Sequence, residues 1–489
     1  MAGIGVKLNK IYSKNTVSTS LFGFGYSTAI TIAPMFFVIL TVMLMQYLLG
    51  FSSLGYTSRE LYACTVLYIF IFALLSASPF NAVLSKYMSD VIYWETYEDI
   101  LPCYYVGLIL NLALSSLMGI PFCIREYIVG KVPLEFVLAG YMGYISLVLV
   151  FYSMLYLSIC KDYKMISLYF LIGMTFTILL SLLLVKVFKM DCILGMLIAL
   201  DAGFLLVAIL EFALIRSYFR KNSGKYKEVF VYFRKYWQLI LTNFLYTLGL
   251  YIHNFVFWTT DMRMVVVKSF VCMQSYDMAT CLAMFTNITA TVIFISRVEM
   301  HFHGRYKRYS EAVIGGRRMD IEDSKVRMFS QLAEELMNLV RLQFIVSVVV
   351  FIFAIIFLPR LGYGGLVMQI YPCLAAGYFI LFTMYAEIIF LYYYNDFDGA
   401  LITSLAFCVS TLIGAWFSTF LTPIWYGIGL VGGSLVGFFV AYFRIRYIEK
   451  NLDVHIFCKG NLMKRGQGSK PSNLVYSRPK KYERKNRLL

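Results

Sequence analysis

The chain alternates between long apolar stretches and short polar segments along its whole length. Each apolar stretch is close to the roughly 20 residues that an α-helix needs to cross the hydrocarbon core of a bilayer. The first stretch is too long for the apolar part of a signal peptide and has no small-residue cleavage site, so we expect it to be retained. The pattern predicts an all-α polytopic membrane protein with about twelve transmembrane helices, at residues 21–49, 62–84, 102–123, 133–160, 165–187, 192–215, 238–258, 278–298, 342–359, 367–392, 400–421 and 425–443.

One polar segment between the eighth and ninth predicted spans has a helical repeat of its own. Its apolar residues recur at three- and four-residue intervals, which predicts an amphipathic helix at about 321–340. The members of this stripe are Val326, Phe329, Leu332, Leu336 and Val340. Such a helix either lies on the membrane surface or docks a partner protein.

Composition and charge agree with a membrane protein and indicate its orientation. Hydrophobic residues make up 60% of the chain and charged residues 14%, whereas charged residues are about a quarter of a soluble protein. With the N-terminus in the cytoplasm, 35 of the 43 Lys and Arg residues fall in cytoplasmic segments, as the positive-inside rule requires. The net charge of +16 therefore reflects topology, and we expect both termini in the cytoplasm and no nucleic-acid partner.

A basic segment divides the predicted spans into two sets of six. This layout is typical of secondary transporters that are built from repeats. We therefore expect an N-terminal six-helix half at 1–217, a cytoplasmic connector at 218–237, a C-terminal six-helix half at 238–443 and a basic cytoplasmic tail at 444–489.

The sequence contains no Walker A, HExxH, GxSxG or dinucleotide-binding motif, so we expect no enzyme activity and no cofactor. The ten Cys residues include no CxxC pair and no metal-type spacing, and we expect neither disulfides nor a metal site. Asp396-Phe397-Asp398 matches the short DxD pattern of glycosyltransferases. No nucleotide-binding domain surrounds it, so a solvated helix-capping turn is the favoured interpretation.

Polar residues inside the predicted spans are few, and such residues usually face a cavity or a partner. Each could also make an interhelical hydrogen bond. Glu211 lies near a span end, from which it could reach the membrane interface. The candidates for lining a path for polar cargo are Asp201, His253, Asn254 and Glu387, followed by Asn111 and Asn287.

Glycine and proline mark two further features. Span 1 contains Gly23, Gly25 and Pro34, which together predict a hinge, because proline leaves a helix carbonyl unpaired. Small residues at four-residue spacing in span 12 predict close helix packing within the bundle. They are Gly429, Gly433 and Gly437.

Several segments resemble the PelG-like transporters of Pel exopolysaccharide. The opening residues 1–11 are similar to the start of that family, and residues 247–258 are similar to its seventh span. Further similarity lies in Glu299-Met300-His301-Phe302-His303-Gly304-Arg305-Tyr306 with the Tyr309 and Gly315-Gly316 that follow, and in Tyr392-Tyr393-Tyr394-Asn395-Asp396.

This resemblance implies a twelve-helix member of the multidrug/oligosaccharidyl-lipid/polysaccharide (MOP) flippase superfamily, with a fold similar to that of MATE transporters. Such a protein would export a hexosamine-rich polysaccharide through the plasma (inner) membrane. The resemblance also implies partners, namely a cytosolic glycosyltransferase and other membrane subunits of a Pel synthase.

Three other functions stay open at the level of sequence. The first is a lipid-linked oligosaccharide flippase or a drug/cation antiporter of the same fold. The second is a membrane-embedded glycosyltransferase that uses Asp396 and Asp398. The third is a scaffold that transports nothing. Transport itself could be driven by chain elongation or by an ion gradient, and the sequence does not decide between them.

Overall fold

The structure is a computed structural model that describes residues 17–160, 163–290, 299–361 and 364–459. Helices form almost all of it. The N-terminal group of helices is α1 (Val17–Leu48), α2 (Tyr56–Tyr93), α3 (Ile100–Ile128), α4 (Leu134–Cys160), α5 (Tyr163–Leu182) and α6 (Cys192–Tyr218). After α7 (Tyr226–Lys235), the C-terminal group is α8 (Trp237–Phe257), α9 (Gln274–Asn287), α10 (Glu299–Gly315), α11 (Arg318–Phe357), α12 (Leu366–Tyr393), α13 (Phe397–Ser418) and α14 (Ile428–Lys459).

Ten helices among the described residues are long and apolar enough to cross a membrane, and they include α2–α6, α8 and α11–α14. The chain is therefore a multi-pass membrane protein, as the apolar pattern predicts. Helix α1 contributes the shorter apolar stretch Ile32–Leu48, and α9 coincides with the first part of predicted span 8. Residues 291–298 of that span lie outside the described residues, so the count of twelve stays a prediction.

The helices of each group pack mainly among themselves. In the N-terminal group, α4 packs along α6 and α2, and α5 packs against α1 and α6. In the C-terminal group, α8 packs along α13, and α9 packs along α12. Helix α2 also packs along α8, and this pair joins the two groups. The division of the chain into two six-helix halves at 218–237 stays a prediction.

A small β-hairpin follows α8 in an otherwise helical structure. Strands β1 (Met264–Val266) and β2 (Phe270–Cys272) pair antiparallel, with Met264 opposite Cys272. The turn between them places Val267 and Lys268 at positive φ angles of 49° and 63°. Strands of three residues are too short to be predicted from an alternating pattern of apolar and polar residues.

The predicted amphipathic helix at 321–340 is not a separate element. It is the first part of α11, a single helix of 40 residues that continues into predicted span 9. A straight helix that crosses a membrane cannot also lie flat on its surface, so this continuity favours the partner-docking interpretation, which stays a prediction. Phe329 and Leu332 of the predicted stripe are buried, but Val326 is 68% exposed. The buried face of α11 instead includes Met328, Phe329, Leu332, Glu335, Leu339 and Gln343.

The glycine strip of α14 packs as predicted. Gly429 lies against the backbone of Gly414 and Ala415 in α13, and Gly433 lies against Thr411. A side chain at either position would collide with the backbone or side chain of α13, so the close approach depends on glycine.

Pro34 lies inside α1 and is buried. Gly23 and Gly25 also lie within this helix, which is continuous from Val17 to Leu48. The hinge in this helix stays a prediction.

Candidate functional site

The contact between α2 and α8 is a seam lined with aromatic rings. Tyr68 stacks on Trp258 with ring centroids 5.0 Å apart, and Phe72 stacks on Phe255 at 6.0 Å. Further along the same pair of helices, the Asn243 side chain donates to the Ser78 carbonyl oxygen at 3.3 Å. This seam therefore joins the two groups of helices.

The end of the seam near α7 contains aromatic and charged side chains. The rings of Tyr87 and Tyr232 meet edge to face at 4.9 Å, and the Tyr232 hydroxyl donates to Asp90 Oδ2 at 3.2 Å. Burial, together with the nearby Asp90 carboxylate, raises the pKa of Tyr232. Lys86 forms an ion pair with Asp90 at 2.9 Å.

The hairpin closes the other end of the seam. The Tyr68 hydroxyl donates to the Val271 carbonyl oxygen at 2.7 Å and accepts from the Val271 amide at 3.2 Å. The Ser269 hydroxyl donates to the Glu126 carboxylate at the end of α3, and the ring of Phe270 packs edge-on to Tyr68. The hairpin belongs to the loop between α8 and α9, yet its partners lie on α2 and α3.

Beside the hairpin lies a cavity of about 200 Å³ between α2, α3 and α4. Aromatic side chains dominate its lining, and Glu126 is its charged residue. Glu126 is 1% exposed, and its Oε1 atom has no hydrogen-bond partner in the part of the chain that the structure describes. The other lining residues include Tyr68, Phe72, Phe122, Phe136, Tyr141, Tyr144 and Phe270.

His253 and Asn254 lie in a hydrogen-bonded cluster that the sequence does not reveal. At its centre is Asp277, near the start of α9. Its carboxylate accepts from the Asn254 side chain at 2.7 Å, from Trp258 Nε1 at 3.0 Å and from the Met273 amide at 3.1 Å. Asp277 is 7% exposed, so these donors replace water around a buried carboxylate. The arrangement ties the end of α8 to the start of α9.

His253 is fully buried between two tyrosines. Its Nδ1 atom is 2.9 Å from the Tyr276 hydroxyl, and its Nε2 atom is 3.5 Å from the Tyr378 hydroxyl. The ring of Tyr276 stacks on Phe257 at 4.0 Å. The imidazole therefore links α8 to both α9 and α12.

Tyrosines also gather near the middle of α8. Tyr246 of α8 stacks on Tyr385 of α12 with centroids 4.6 Å apart, and the Tyr392 hydroxyl donates to Asn243 Oδ1 at 3.3 Å. All four side chains are half-buried. Within the described part of the chain, the hydroxyls of Tyr246 and Tyr385 have no hydrogen-bond partner. We refer to Asn243, Tyr246, Tyr385 and Tyr392 as the tyrosine cluster.

Two acidic side chains of α6 are buried. Asp201 lies against Gly143 of α4, and its Oδ1 atom has no hydrogen-bond partner among the described residues. Glu211 is fully buried, and neither of its carboxylate oxygens has a partner in that part of the chain. The expectation that Glu211 reaches the membrane interface is therefore wrong, because its side chain is fully buried.

The remaining candidates lie in separate places. Glu387 of α12 is 1% exposed, and its Oε2 atom has no hydrogen-bond partner within the described ranges. Asn111 donates to the Gly107 carbonyl oxygen of its own helix at 2.8 Å. Asn287 donates to the Ala375 carbonyl oxygen at 2.9 Å and accepts from Ser347 at 2.7 Å, so it joins α9, α11 and α12. The structure thus brings His253 and Asn254 together and leaves the other four candidates apart.

The DxD pattern differs from the predicted solvated turn. Asp396 precedes α13, but it is 1% exposed and its side chain makes no capping hydrogen bond. Asp398 is exposed and accepts from Gln238 Nε2 at 3.4 Å. One carboxylate is therefore buried and the other faces outward. In the described part of the chain, no group of three or more His, Cys, Asp or Glu residues could hold a metal ion.

Sequence reasoning missed Asp277, Glu126 and the tyrosine cluster. Asp277 falls one residue before predicted span 8, and Glu126 falls just after predicted span 3. Residues at span ends do not stand out, because charges there can reach water. The spacing of Asn254 and Trp258, four residues apart on one helix face, is the local signal that a shared polar partner could lie beside them.

Comparison with solved structures shows the fold. An inward-facing multidrug resistance MATE transporter of the MOP superfamily is 15% identical, with a TM-score of 0.57, and the match covers 87% of this chain and 96% of that one. The eukaryotic MATE transporter AtDTX14 is 12% identical, with a TM-score of 0.62, and 92% and 98% of the two chains are covered. A MATE structure in the bent conformation is 15% identical, with a TM-score of 0.59, and 86% and 96% are covered. At these identities the likeness shows a MATE-like fold and no more.

Comparison with curated proteins gives no match. The family comparison, in contrast, matches residues 1–457 to PelG, the family of exopolysaccharide exporters (EPS-E). This match spans the predicted helices of both groups and confirms the family that the short motifs indicate. The chain belongs to the PelG family of exopolysaccharide exporters.

Proposed function

We propose that this protein exports a hexosamine-rich, Pel-type exopolysaccharide through the plasma membrane, as the transporter subunit of a synthase complex. The observation that carries the proposal is the match to the PelG family over residues 1–457. The MATE-like fold supports it, since that fold is built to move a substrate between groups of helices.

The path for the polymer follows the seam between α2 and α8, where the two groups of helices meet. The tyrosine cluster lies beside this seam and combines flat rings with hydroxyl groups and an amide. Rings can stack on the apolar faces of a sugar, while hydroxyls and amides hydrogen-bond its polar edges. Such a surface suits an N-acetylated, uncharged polymer better than an inorganic ion, which would need a compact set of carboxylates.

Asp201 and Glu387 are further candidates for the lining of the path, because each has a buried carboxylate oxygen without a partner. Asn111 is a weaker candidate. His253, Asn254 and Asn287 make interhelical hydrogen bonds, which favour a packing role for these three residues.

The cytoplasmic orientation of both termini is part of the proposal and rests on the distribution of Lys and Arg. In that orientation α10 and the first part of α11 project on the cytoplasmic side. Their exposed faces are the surface that we assign to a cytosolic glycosyltransferase or another synthase subunit. Chain elongation by that partner would push the polymer outward, and an ion gradient is the alternative driving force.

The test uses a host that lacks only its own Pel transporter. Hexosamine polymer is measured outside the cells, and polymer and sugar nucleotides are measured inside. Restored extracellular polymer supports export. A build-up of lipid-linked oligosaccharide would instead indicate the flippase. The antiporter would be indicated if transport collapses with the proton gradient in the wild-type protein and is lost in an Asp201→Asn or Glu387→Gln variant.

A double variant, Tyr246→Ala with Tyr385→Ala, tests the path. Each stacking contact is worth about 1 kcal/mol, so we expect extracellular polymer to fall by roughly tenfold or more at equal protein level. Tyr47→Ala is the matched control, because Tyr47 is 84% exposed on α1. Unchanged export in the double variant would place the path elsewhere.

The glycosyltransferase alternative has its own test. If Asp396 and Asp398 were catalytic, changing both to Asn would abolish polymer synthesis inside and outside the cell. If the protein is instead an exporter, its partner glycosyltransferase should still make polymer inside the cell after this change.

A further inference from the structure

Two cysteines that are 208 residues apart in sequence meet at the hairpin. Cys64 lies on α2 and Cys272 on β2, and their Sγ atoms are 3.0 Å apart. Both side chains are 2% exposed. The contact joins the N-terminal group of helices to the loop between α8 and α9.

The surrounding contacts hold the two thiols in register. Tyr56 lies on the same face of α2 as Cys64, eight residues earlier, and its hydroxyl donates to Met264 Sδ at 2.9 Å. Met264 pairs directly with Cys272 across the hairpin. One turn after Cys64, Tyr68 bonds both backbone groups of Val271. Contacts on both sides of the thiols therefore fix how far the hairpin can move along α2.

We propose that Cys64 and Cys272 are a disulfide-forming pair that fastens the hairpin to α2. The oxidant is an external disulfide, such as oxidised glutathione or a disulfide-bearing protein. One thiolate attacks this disulfide, forms a mixed disulfide and releases one external thiolate. The second cysteine thiolate then attacks the cysteine sulfur of the mixed disulfide and releases the other. Two cysteine protons are lost, and the external disulfide is reduced to two thiols.

The hairpin follows span 7 in a loop that the charge distribution places outside the plasma membrane. Disulfides persist in that compartment, whereas the cytoplasm keeps thiols reduced. This location rests on the orientation given under the proposed function. The chemistry of the pair does not, because it can be measured in isolated membranes whether or not the protein exports a polymer.

The experiment counts oxidised cysteines in the full chain. Membranes are incubated with reduced or oxidised glutathione, and free thiols are then blocked with N-ethylmaleimide. The protein is next reduced and labelled with a polyethylene-glycol maleimide, which retards it on a gel once per released thiol. After oxidation, we expect two labels on the wild-type protein and at most one on Cys272→Ser, whose Cys64 can proceed only as far as the mixed disulfide with glutathione. Cys281→Ser, a change in a nearby cysteine of α9, is the matched control and should keep both labels.

Two results would overturn the proposal. One is a wild-type protein that gains no label after oxidised glutathione, and the other is a Cys281→Ser variant that loses its labels. Mass spectrometry of the wild-type protein provides a measurement that needs no variant. A linked pair of tryptic peptides 60–86 and 269–297, lost on reduction and retained in Cys281→Ser, is the expected species.

Discussion

Buried polar side chains in this protein are of two kinds. Asp277 and Asn287 have hydrogen-bond partners on neighbouring helices, and they hold those helices together. Asp201, Glu211 and Glu387 each have at least one buried oxygen without a partner. Since an unpartnered buried oxygen is costly, the second group contains the better candidates for contact with cargo.

Replacing Asp277 by Ala should destabilise the fold. The change leaves the Asn254 side chain, Trp258 Nε1 and the Met273 amide without their acceptor, and each buried donor left unpaired costs about 1–3 kcal/mol. We expect a lower unfolding temperature for the detergent-purified protein, followed by tryptophan fluorescence. Asp261→Ala, a change at an exposed loop position, is the control. Equal unfolding temperatures for the two variants would show that the cluster contributes little.

Two glycines on α4 should respond to alanine in opposite ways. At Gly143 the added methyl group would collide with Asp201, whereas at Gly140 the nearest atom is Thr65 Cγ2 at 3.4 Å. Alanine favours a helix over glycine by about 1 kcal/mol, so Gly140→Ala should be neutral or stabilising. Gly143→Ala should lose about 1–3 kcal/mol through overpacking. Thermal unfolding of the two variants side by side measures the difference, and a stabilised Gly143→Ala would mean that Asp201 can move away freely.

The sequence predicts isolated buried charges better than it predicts their partners. Asp201 and Glu387 stand out because each lies within an apolar stretch. The link between Asp277 and Asn254 crosses from one helix to the next, and no local pattern specifies which faces of α8 and α9 will meet. The tyrosine cluster cannot be identified from the sequence for a different reason. The chain has 39 Tyr residues, and most of them suit a membrane interface equally well.

At the scale of elements, apolar length predicts the helices and misjudges where some of them end. The hydrocarbon core sets the minimum length of a span, but a helix can continue into water when its other faces find partners. Phe329 of α11 stacks on Tyr394 at 5.5 Å, and α11 also packs along α10. These contacts favour the continuation of α11 through residues 318–341, where the sequence predicts a separate amphipathic helix on the membrane surface or against a partner protein.

A distance measurement on α11 tests this continuity. Spin labels on cysteines that replace Glu322 and Phe344, in a background lacking reactive cysteines, are separated by 22 residues of one helix. At 1.5 Å per residue we expect a narrow distribution of distances near roughly 33 Å. A bend that laid the first part on the membrane surface would give a shorter and broader distribution. An Ala333→Pro variant, which breaks the helix between the labels, is the positive control for that outcome.

At the scale of the whole molecule, the fold class and the family could be predicted, but the closure of the seam could not. Charge and apolar length indicate a multi-pass membrane protein with a connector near 218–237. The hairpin that bridges α8 to α2 and α3 consists of two three-residue strands, and its contacts span more than 200 residues of sequence. Long-range contacts of this kind depend on how the helices pack, which hydropathy does not encode.

Fastening the hairpin to α2 should stop export, if the polymer leaves through the seam. The stack of Tyr68 on Trp258 and the hairpin contacts close that end in the structure, so α2 and the hairpin must separate for a polymer to pass. We expect extracellular polymer to fall in proportion to the fraction of cross-linked protein, and to recover when dithiothreitol reduces the Cys64–Cys272 bond. Cys272→Ser should export equally under oxidising and reducing conditions, and Cys281→Ser should respond as the wild-type protein does. Full export by fully cross-linked protein would mean that the polymer passes without separation of α2 from the hairpin. The path would then have to lie away from this end of the seam.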